Sequence, residues 1–361
     1  MRAAVLRQVG DTALEVRDDV DLIEQGSGDV VVDITHTGIC HSDLSVMNGT
    51  IPQQHTPLVL GHEGAGVVAE TGDAVTSVSA GDRVIVVWSP PCGGCVYCLT
   101  HKRPNLCSAL QFGVMLRRQF RCGEQELGSM CGVGTFAERT VVPEQAVVKI
   151  DESIRLDVAA LVGCGVMTGV GAALNTAKVA PGSSVVVFGA GGVGVSAMQG
   201  ARVAGAAAIV AVDRNPAKLS VARSFGATDA VLPADLDAAK AEMNGGEGFD
   251  YAFECIGHPA TMRAAYDAVR RGGTCCVVGV GRIEEQVSFS AFEIFFNEKN
   301  LVGSYYGGAD VRVDFHRVLR LAESGQLDLA GMIDRRLPLE EINEGIEALR
   351  AGEVVRQIVE L

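Results

Sequence analysis

The sequence predicts an α/β chain organised around a doubly wound parallel sheet, and three observations predict it. Apolar, β-branched runs alternate with helix-patterned stretches from Val185 to Tyr305. The first run, 185–188, breaks at Gly189 and resumes with helical spacing from Val193 onward. A second run, 208–212, ends in Asp213.

The first run reads as strand, tight turn and helix. Its glycines at 189, 191 and 194 fit G-x-G-x-x-G, with Gly192 and Val193 opening the helix. Gly189 allows the turn, Gly191 lets the backbone approach a pyrophosphate, and Gly194 lets helix and strand pack together. The amides of the first helical turn would then face a phosphate. Alone, such a pattern also describes a glycine-rich turn between core elements. Asp213 decides for a dinucleotide, because a ribose-binding carboxylate is expected about 20 residues beyond the glycines. It would accept the ribose hydroxyls and repel a 2′-phosphate, which favours NAD over NADP. Arg214, next in the chain, weakens that preference unless it is solvated or lies against adenine. Further strands are read at 229–232, 249–253, 274–280 and 301–305, with helices such as 217–225 and 261–270 between them.

A chain of 361 residues has room for two domains of ordinary size. Its 48% hydrophobic content and 44 glycines, without low-complexity tracts, describe a compact protein. A net charge of −14 argues against nucleic acid and anionic membrane as partners, since both call for a positive surface. No apolar run is read as reaching the roughly 20 residues that span a bilayer. The start, Met1-Arg-Ala-Ala-Val-Leu, lacks a secretory h-region, so a cytoplasmic location is expected. Eleven cysteines in such a chain point to metal or chemistry before disulfides.

The opening residues read as short strands and turns. Thr37-Gly-Ile-Cys-His-Ser-Asp then places Cys40, His41, Ser42 and Asp43 just past a strand, and Gly61-His-Glu-Gly places His62 and Glu63 in a glycine-rich segment. Taken singly, Cys40 reads as a buried thiol and His62 as a hydrogen-bonded core histidine. The loop 89–108 is less ambiguous. Cys92, Cys95, Cys98 and Cys107 fall at C-x-x-C-x-x-C with a fourth thiol shortly after, a set that can wrap four sulfurs round Zn²⁺ and leave no open position. An iron–sulfur cluster is the alternative. Residues 108–134 read as irregular, with no role for Cys122 or Cys131, and Cys164 falls in an apolar, glycine-rich turn. No role is assigned to Cys255, Cys275 or Cys276 either. The tail reads as two helices and a last strand at 357–360.

Together these motifs resemble the zinc-dependent alcohol dehydrogenases of the medium-chain dehydrogenase/reductase family. The resemblance runs from residue 1 to 361 and is carried by Gly38-Ile-Cys-His-Ser-Asp, Gly61-His-Glu-Gly-Ala-Gly, the four-cysteine loop, Gly163-Cys-Gly, and the glycine turn with Asp213. It implies a GroES-like, mostly β catalytic domain from residues 1–165 and 306–361, with a NAD-binding Rossmann domain at 166–305 inserted. It implies two zinc ions per chain. Cys40, His62 and Cys164 match the catalytic ligands, a Cys₂His set with one open position, and the four-cysteine loop matches the structural site. One extra residue separates Cys98 from Cys107 compared with the usual spacing. By the same resemblance, an alcohol would bind the catalytic zinc as an alkoxide and pass hydride to NAD.

Glu63 matches a carboxylate behind the metal, and Asp43 a partner that orients the ligand histidine. Ser42 matches the hydroxyl that relays the substrate's proton. A histidine that completes the relay in well-known members is replaced by Ser45, so the proton is expected to leave through Ser42 and the cofactor ribose to water. His41 and Arg356 match cationic pyrophosphate contacts, each with a solvated surface residue as the alternative. Lys218 is expected at the adenosine ribose, and Thr168 and Val280 beside the nicotinamide end. Trp88, Met115, Val280 and Tyr305 are expected to line the substrate pocket. A Trp beside the zinc would favour primary alcohols, benzylic or allylic ones included.

Two alternatives stand beside this reading. A thiol-adduct formaldehyde dehydrogenase, using glutathione or mycothiol, would need a basic pocket for which Arg117 and Arg118 are candidates. A NAD- and zinc-binding scaffold without activity would be expected to lack one of Cys40, His62, Cys164 or Ser42. The phenylalanine- and isoleucine-rich segment 288–305 is expected to join sheets edge to edge in a homodimer, or in a tetramer as the larger assembly.

Overall fold

The computed structural model describes the chain apart from Glu24 and Gln54, and describes Phe112 by its backbone. The chain forms two compact units: Met1–Gly165 with Asp310–Arg320 and Leu329–Leu361, and Val166–Ala309 with Leu321–Asp328.

The second unit is the parallel sheet. Its six strands lie in the order Asp229–Val231, Ala208–Val212, Ser184–Phe188, Phe249–Glu254, Val269–Val277, Asn300–Gly303. All neighbouring pairs run parallel, with Val186 opposite both Val210 and Ala252. Val185, Val186 and Val187 are wholly buried, which is why this strand reads as a continuous apolar run and not as an alternation. Chain order reverses on either side of Ser184–Phe188, so the crevice at its carboxyl end is a topological switch point. Helices Gly192–Val203, Pro216–Ser224 and Pro259–Ala268 begin with a Gly or Pro after an extended N-cap. Two expected strands end early, at Val277 and Gly303, and Val280 and Tyr305 therefore lie beyond them.

The first unit is built on β-sheets. One runs Val147–Lys149, Arg83–Val86, Gly64–Thr71, Asp29–Ile39, Arg356–Glu360, Ile333–Pro338, with Arg139–Pro143 also paired to Asp29–Ile39. The long strand Asp29–Ile39 is its axis. Gln357 pairs with Ile39 and Val359 with Thr37, so the C-terminal strand belongs to the same sheet as the opening segments. A second sheet packs Ala3–Leu6 between Glu15–Arg17 and Leu58–Val59 and continues through the hairpin Phe120–Cys122/Gln125–Ser129 to Val20–Leu22.

Three expectations are corrected. Residues 108–134 are not irregular: they form the helix Ser108–Met115 and that hairpin. Cys164 does not sit in a glycine-rich turn. It lies on a π-helical segment, Val162–Val166, continuing the helix Leu156–Leu161. The glycines nearby serve close packing instead: a Cβ on Gly169 would meet the Val193 carbonyl oxygen at 2.3 Å. The helical run Leu156–Thr176 is also 21 residues long with a mean hydropathy of 1.7, long and apolar enough by length and composition to cross a membrane. Its apolar window is 89% buried inside the protein, which marks a core helix.

Asp157 anchors the first turn of that run. Its buried carboxylate accepts from Arg155 at 2.5 Å and from Arg336 of strand Ile333–Pro338 at 2.8 Å. Burial opposes its charge, but the two arginines outweigh burial and hold its pKa down at about 2. A depressed carboxylate stabilises the fold above its unfolded pKa and loses that contribution as pH falls through the folded value. Asp157→Asn is therefore expected to cost about 1 kcal/mol near neutral pH, small because both arginines are half exposed. In denaturant titrations the gap to wild type should close as pH is lowered from 5 towards 2.

Candidate metal centres and cofactor turn

Three loci gather the functional side chains. In the first, strand Asp29–Ile39 delivers Cys40 to the N-cap of helix His41–Met47. Asp43, one turn into that helix, has no exposed surface. One oxygen accepts the Cys40 amide at 2.8 Å, and the other faces the Gly61 amide at 3.2 Å and His62 Nδ1 at 3.3 Å. A carboxylate on Nδ1 directs the imidazole so that Nε2 points elsewhere. Among the described residues, His62 Nε2 is buried and has no hydrogen-bond partner.

Ligand atoms of Cys40, His62, Glu63 and Cys164 all lie within 4.8 Å of one another. Two sulfurs and an orphaned imidazole nitrogen, all on buried residues, suit Zn²⁺. The Cys40 thiol is held well below its ordinary pKa by a hydrogen bond from Cys164, with His62 adding to this against burial. Burial opposes charge on His62, but Asp43 and the Cys40 sulfur hold its pKa well above the usual value. A thiolate is the form that binds metal. Ser42 Oγ stands 3.8 Å from the Cys40 sulfur, and the Trp88 ring meets the His62 ring edge-on at 6.4 Å.

Glu63, also fully buried, accepts the Gly165 amide at 3.0 Å on Oε1 and pairs with Arg356 through Oε2. Arg356, expected at a pyrophosphate, is itself buried on Glu63. This pair was not legible in the sequence. His41 is exposed on the first turn of its helix.

The second locus is the loop of Cys92, Cys95, Cys98 and Cys107, whose sulfurs also lie within 4.8 Å of one another. Cys95 Sγ is 3.6 Å from Cys98 Sγ and 3.8 Å from Cys107 Sγ. Four thiolates each about 2.3 Å from one ion would stand roughly 3.8 Å apart, so the spacing fits a tetrahedral Cys₄ site. Backbone amides of Gly94 and Cys95 donate to Cys92, and that of Cys92 donates to Cys107, as thiolates require.

The third is the glycine turn. Gly189 adopts φ +93°, a conformation that favours glycine. A Cβ on Gly194 would stand 1.8 Å from the Gly189 carbonyl oxygen, while one on Gly191 would enter open space. That open cradle at a helix N-terminus fits a pyrophosphate. Asp213 lies against the same turn: one oxygen accepts the Ala190 amide and the other that of Asn215, both at 2.8 Å. Lys218 is half exposed and Arg214 exposed on the same stretch. Thr168 is on the helix Met167–Gly171, and Val280, Met115 and Tyr305 are all substantially exposed. Arg117, a candidate for a basic pocket, is bound by both oxygens of Asp29 at 2.9 and 2.6 Å.

A GroES-like β unit carrying two metal-ligand clusters, in one chain with a Rossmann sheet that has a dinucleotide turn, defines a zinc-dependent dehydrogenase. Comparison with known proteins agrees. The alcohol dehydrogenase GroES-like domain family matches residues 26–152, and the zinc-binding dehydrogenase family matches residues 192–324. The chain belongs to the zinc-dependent alcohol dehydrogenases of the medium-chain dehydrogenase/reductase family, and is an oxidoreductase with zinc and NAD as cofactors. It is 39% identical to an S-(hydroxymethyl)glutathione dehydrogenase of Synechocystis sp. over 99% of both chains. An alcohol dehydrogenase zinc-binding domain protein from Burkholderia ambifaria superposes with a TM-score of 0.92 at 32% identity, covering 100% of this chain and 98% of that one. A benzyl alcohol dehydrogenase from Acinetobacter calcoaceticus does so with a TM-score of 0.91 at 29% identity, covering 100% and 99%.

Metal analysis separates the two clusters. Wild type should carry two zincs per chain, and His62→Ala and Cys92→Ser one each. Loss at Cys92 should lower the melting temperature, because a small polar loop without its ion has little else to hold it. Loss at His62 should abolish turnover and leave the melting temperature closer to wild type.

Proposed function

We propose that the chain oxidises a primary alcohol, benzylic and allylic alcohols among its substrates, to the aldehyde and catalyses the reverse, with NAD as hydride acceptor. The observation that carries this is the buried Cys40, His62 and Cys164 set with one imidazole nitrogen left without a partner. When bound, zinc supplies a Lewis acid that lowers an alcohol's pKa, and NAD supplies the hydride acceptor. The chain's own residues do the rest. Cys40, His62 and Cys164 hold the metal, and Asp43 fixes the His62 ring. Glu63, tied to Arg356 and the Gly165 amide, places a buried carboxylate behind the ligands. Ser42 Oγ would accept the substrate's proton while releasing its own towards the ribose of a bound cofactor and water, since Ser45 is no base near neutral pH.

Gly189, Gly191, Gly192, Val193 and Gly194 hold the pyrophosphate, Asp213 the adenosine ribose with Arg214 and Lys218 beside it, and Thr168 and Val280 the nicotinamide end. Domain limits of 1–165 with 306–361, and 166–305, belong to the same proposal. Trp88, edge-on to His62, supports a flat wall for an aryl-CH₂OH substrate. Likeness to a benzyl alcohol dehydrogenase supports it too. The second reading is a thiol-adduct formaldehyde dehydrogenase, favoured by the activity of the Synechocystis relative. Against it, Asp29 already occupies Arg117. Cytoplasmic residence completes the proposal.

Assembly is inferred from one edge. Strand Asn300–Gly303 is the last of its sheet, and Phe292, Ile294, Phe295, Phe296 and Leu301 stand exposed around it. Such an edge is a liability unless a second copy covers it, which supports a homodimer.

An alcohol panel assayed with NAD and NADP tests the substrate and cofactor together. Benzyl, allyl and straight-chain primary alcohols should outpace secondary ones, and formaldehyde with glutathione or mycothiol should give no added NADH. NADH produced only with the thiol would establish the second reading instead. Asp213→Ala should lower kcat/KM for NAD about tenfold or more and narrow the gap to NADP. Phe295→Asp, at a side chain 82% exposed, should leave activity per folded chain detectable and shift light-scattering mass to that of a monomer.

A further inference from the structure

The strand Phe249–Glu254 ends in a glutamate with no exposed surface. Its two oxygens are used unequally. Oε1 accepts the amide of Ile256 at 3.0 Å, the amide of Gly257 at 2.8 Å and the hydroxyl of Thr261 at 2.7 Å. Among the described residues, the equally buried Oε2 has no hydrogen-bond partner. All three donors therefore converge on a single acceptor point.

The loop tied to that point, 255–258, lies across the carboxyl ends of three neighbouring strands. The Cys255 amide donates to the Phe188 carbonyl, next to the glycine turn, at 3.0 Å. The amides of Val278 and Gly279 donate to the Glu254 carbonyl at 2.8 and 2.9 Å. Ile256 packs on the turn itself, where a Cβ on Gly189 would meet its Cγ1 at 2.9 Å. Gly257 lies against the Val280 backbone, within 2.4 Å of the Val280 oxygen for any added Cβ. Ile256 is nonetheless 47% exposed, an apolar side chain left uncovered beside the turn where open α/β sheets bind their ligands.

We propose that Glu254 is a positioning residue for the dinucleotide, setting the loop 255–258 through one oxygen so that Ile256 stands beside Gly189 as an apolar wall of the cofactor site. The proposal rests on the reading that the dinucleotide binds at the glycine turn. Two successive amides and a hydroxyl drawn to one oxygen leave the loop a single conformation. Without that acceptor the loop is free, and binding must order it first. What the geometry uses is an acceptor at Oε1. A carboxamide can therefore serve in place of the carboxylate.

The test is NADH binding to the zinc-loaded enzyme by fluorescence titration, with melting temperature and zinc content measured alongside. Glu254→Ala should raise the Kd for NADH about tenfold or more, with two zincs retained. Glu254→Gln, which presents a carbonyl to the same donors, should stay within about threefold of wild type. Ile256→Ala should weaken NADH about threefold to tenfold without moving the melting temperature. A purely structural role would lower the melting temperature and leave Kd, measured well below it, unchanged. Wild-type affinity in folded Glu254→Ala would overturn the proposal, as would Glu254→Gln binding as weakly as Glu254→Ala. If Glu254→Ala does not fold, unchanged affinity in Ile256→Ala overturns it. Asp213→Ala separates the two readings: if it too binds NADH normally, the glycine-turn site has failed, whereas weak binding there with normal binding in Glu254→Ala refutes the clamp alone.

Discussion

The hydrogen bonds converging on Asp43 are the constraint on which the metal centre depends. A single carboxylate, removed from water, fixes the amide of Cys40, the amide of Gly61 and one nitrogen of His62. Two of these belong to ligand residues and the third to the residue that precedes His62. The carboxylate therefore sets the position of a sulfur and the direction of an imidazole at once. An uncompensated buried carboxylate would be costly, but these donors offset that cost and make the arrangement rigid. Rigid placement matters because a zinc ligand must hold its distance to within a few tenths of an ångström.

The two ligand clusters obey different physics. The four-cysteine loop is local: its sulfurs come from one short stretch, and backbone amides already point at them. A metal there closes a loop that has little apolar surface to bury. The Cys40, His62 and Cys164 cluster is assembled from two loops and a π-helical segment, each held by buried packing or hydrogen bonds. Its geometry is a product of the β unit as a whole, and Glu63 with Arg356 extends the buried polar network to the C-terminal strand.

In the second unit, the same economy of contact appears at the carboxyl ends of the strands. Gly189 and Gly194 allow the helix to approach its strand, and Asp213 caps the turn through the Ala190 amide. Glu254 plays the corresponding part on the neighbouring strand, with side-chain oxygen accepting from backbone donors of the loop that follows.

Much of this was legible in residue types and spacing. Coordination chemistry admits few ligand sets, so C-x-x-C-x-x-C with a fourth cysteine names its use, and a glycine turn followed by Asp213 names another. Strand and helix alternation from Val185 onward is a local signal, and it located the parallel sheet within a few residues. What the sequence could not determine depends on contacts far apart in the chain. Gly163-Cys-Gly suggests a turn, because glycine breaks helices in isolation; in the fold the segment continues the helix Leu156–Leu161, and the buried Glu63 carboxylate accepts its Gly165 amide. Leu156–Thr176 is apolar enough for lipid, yet burial within the protein supplies its cover. The pairing of Arg356 with Glu63 exists only once strand register has brought those groups together. Residue chemistry decided which atoms could bind metal and dinucleotide, and tertiary structure decided which of them meet, because local pattern encodes neighbours in sequence and sheet register encodes neighbours in space.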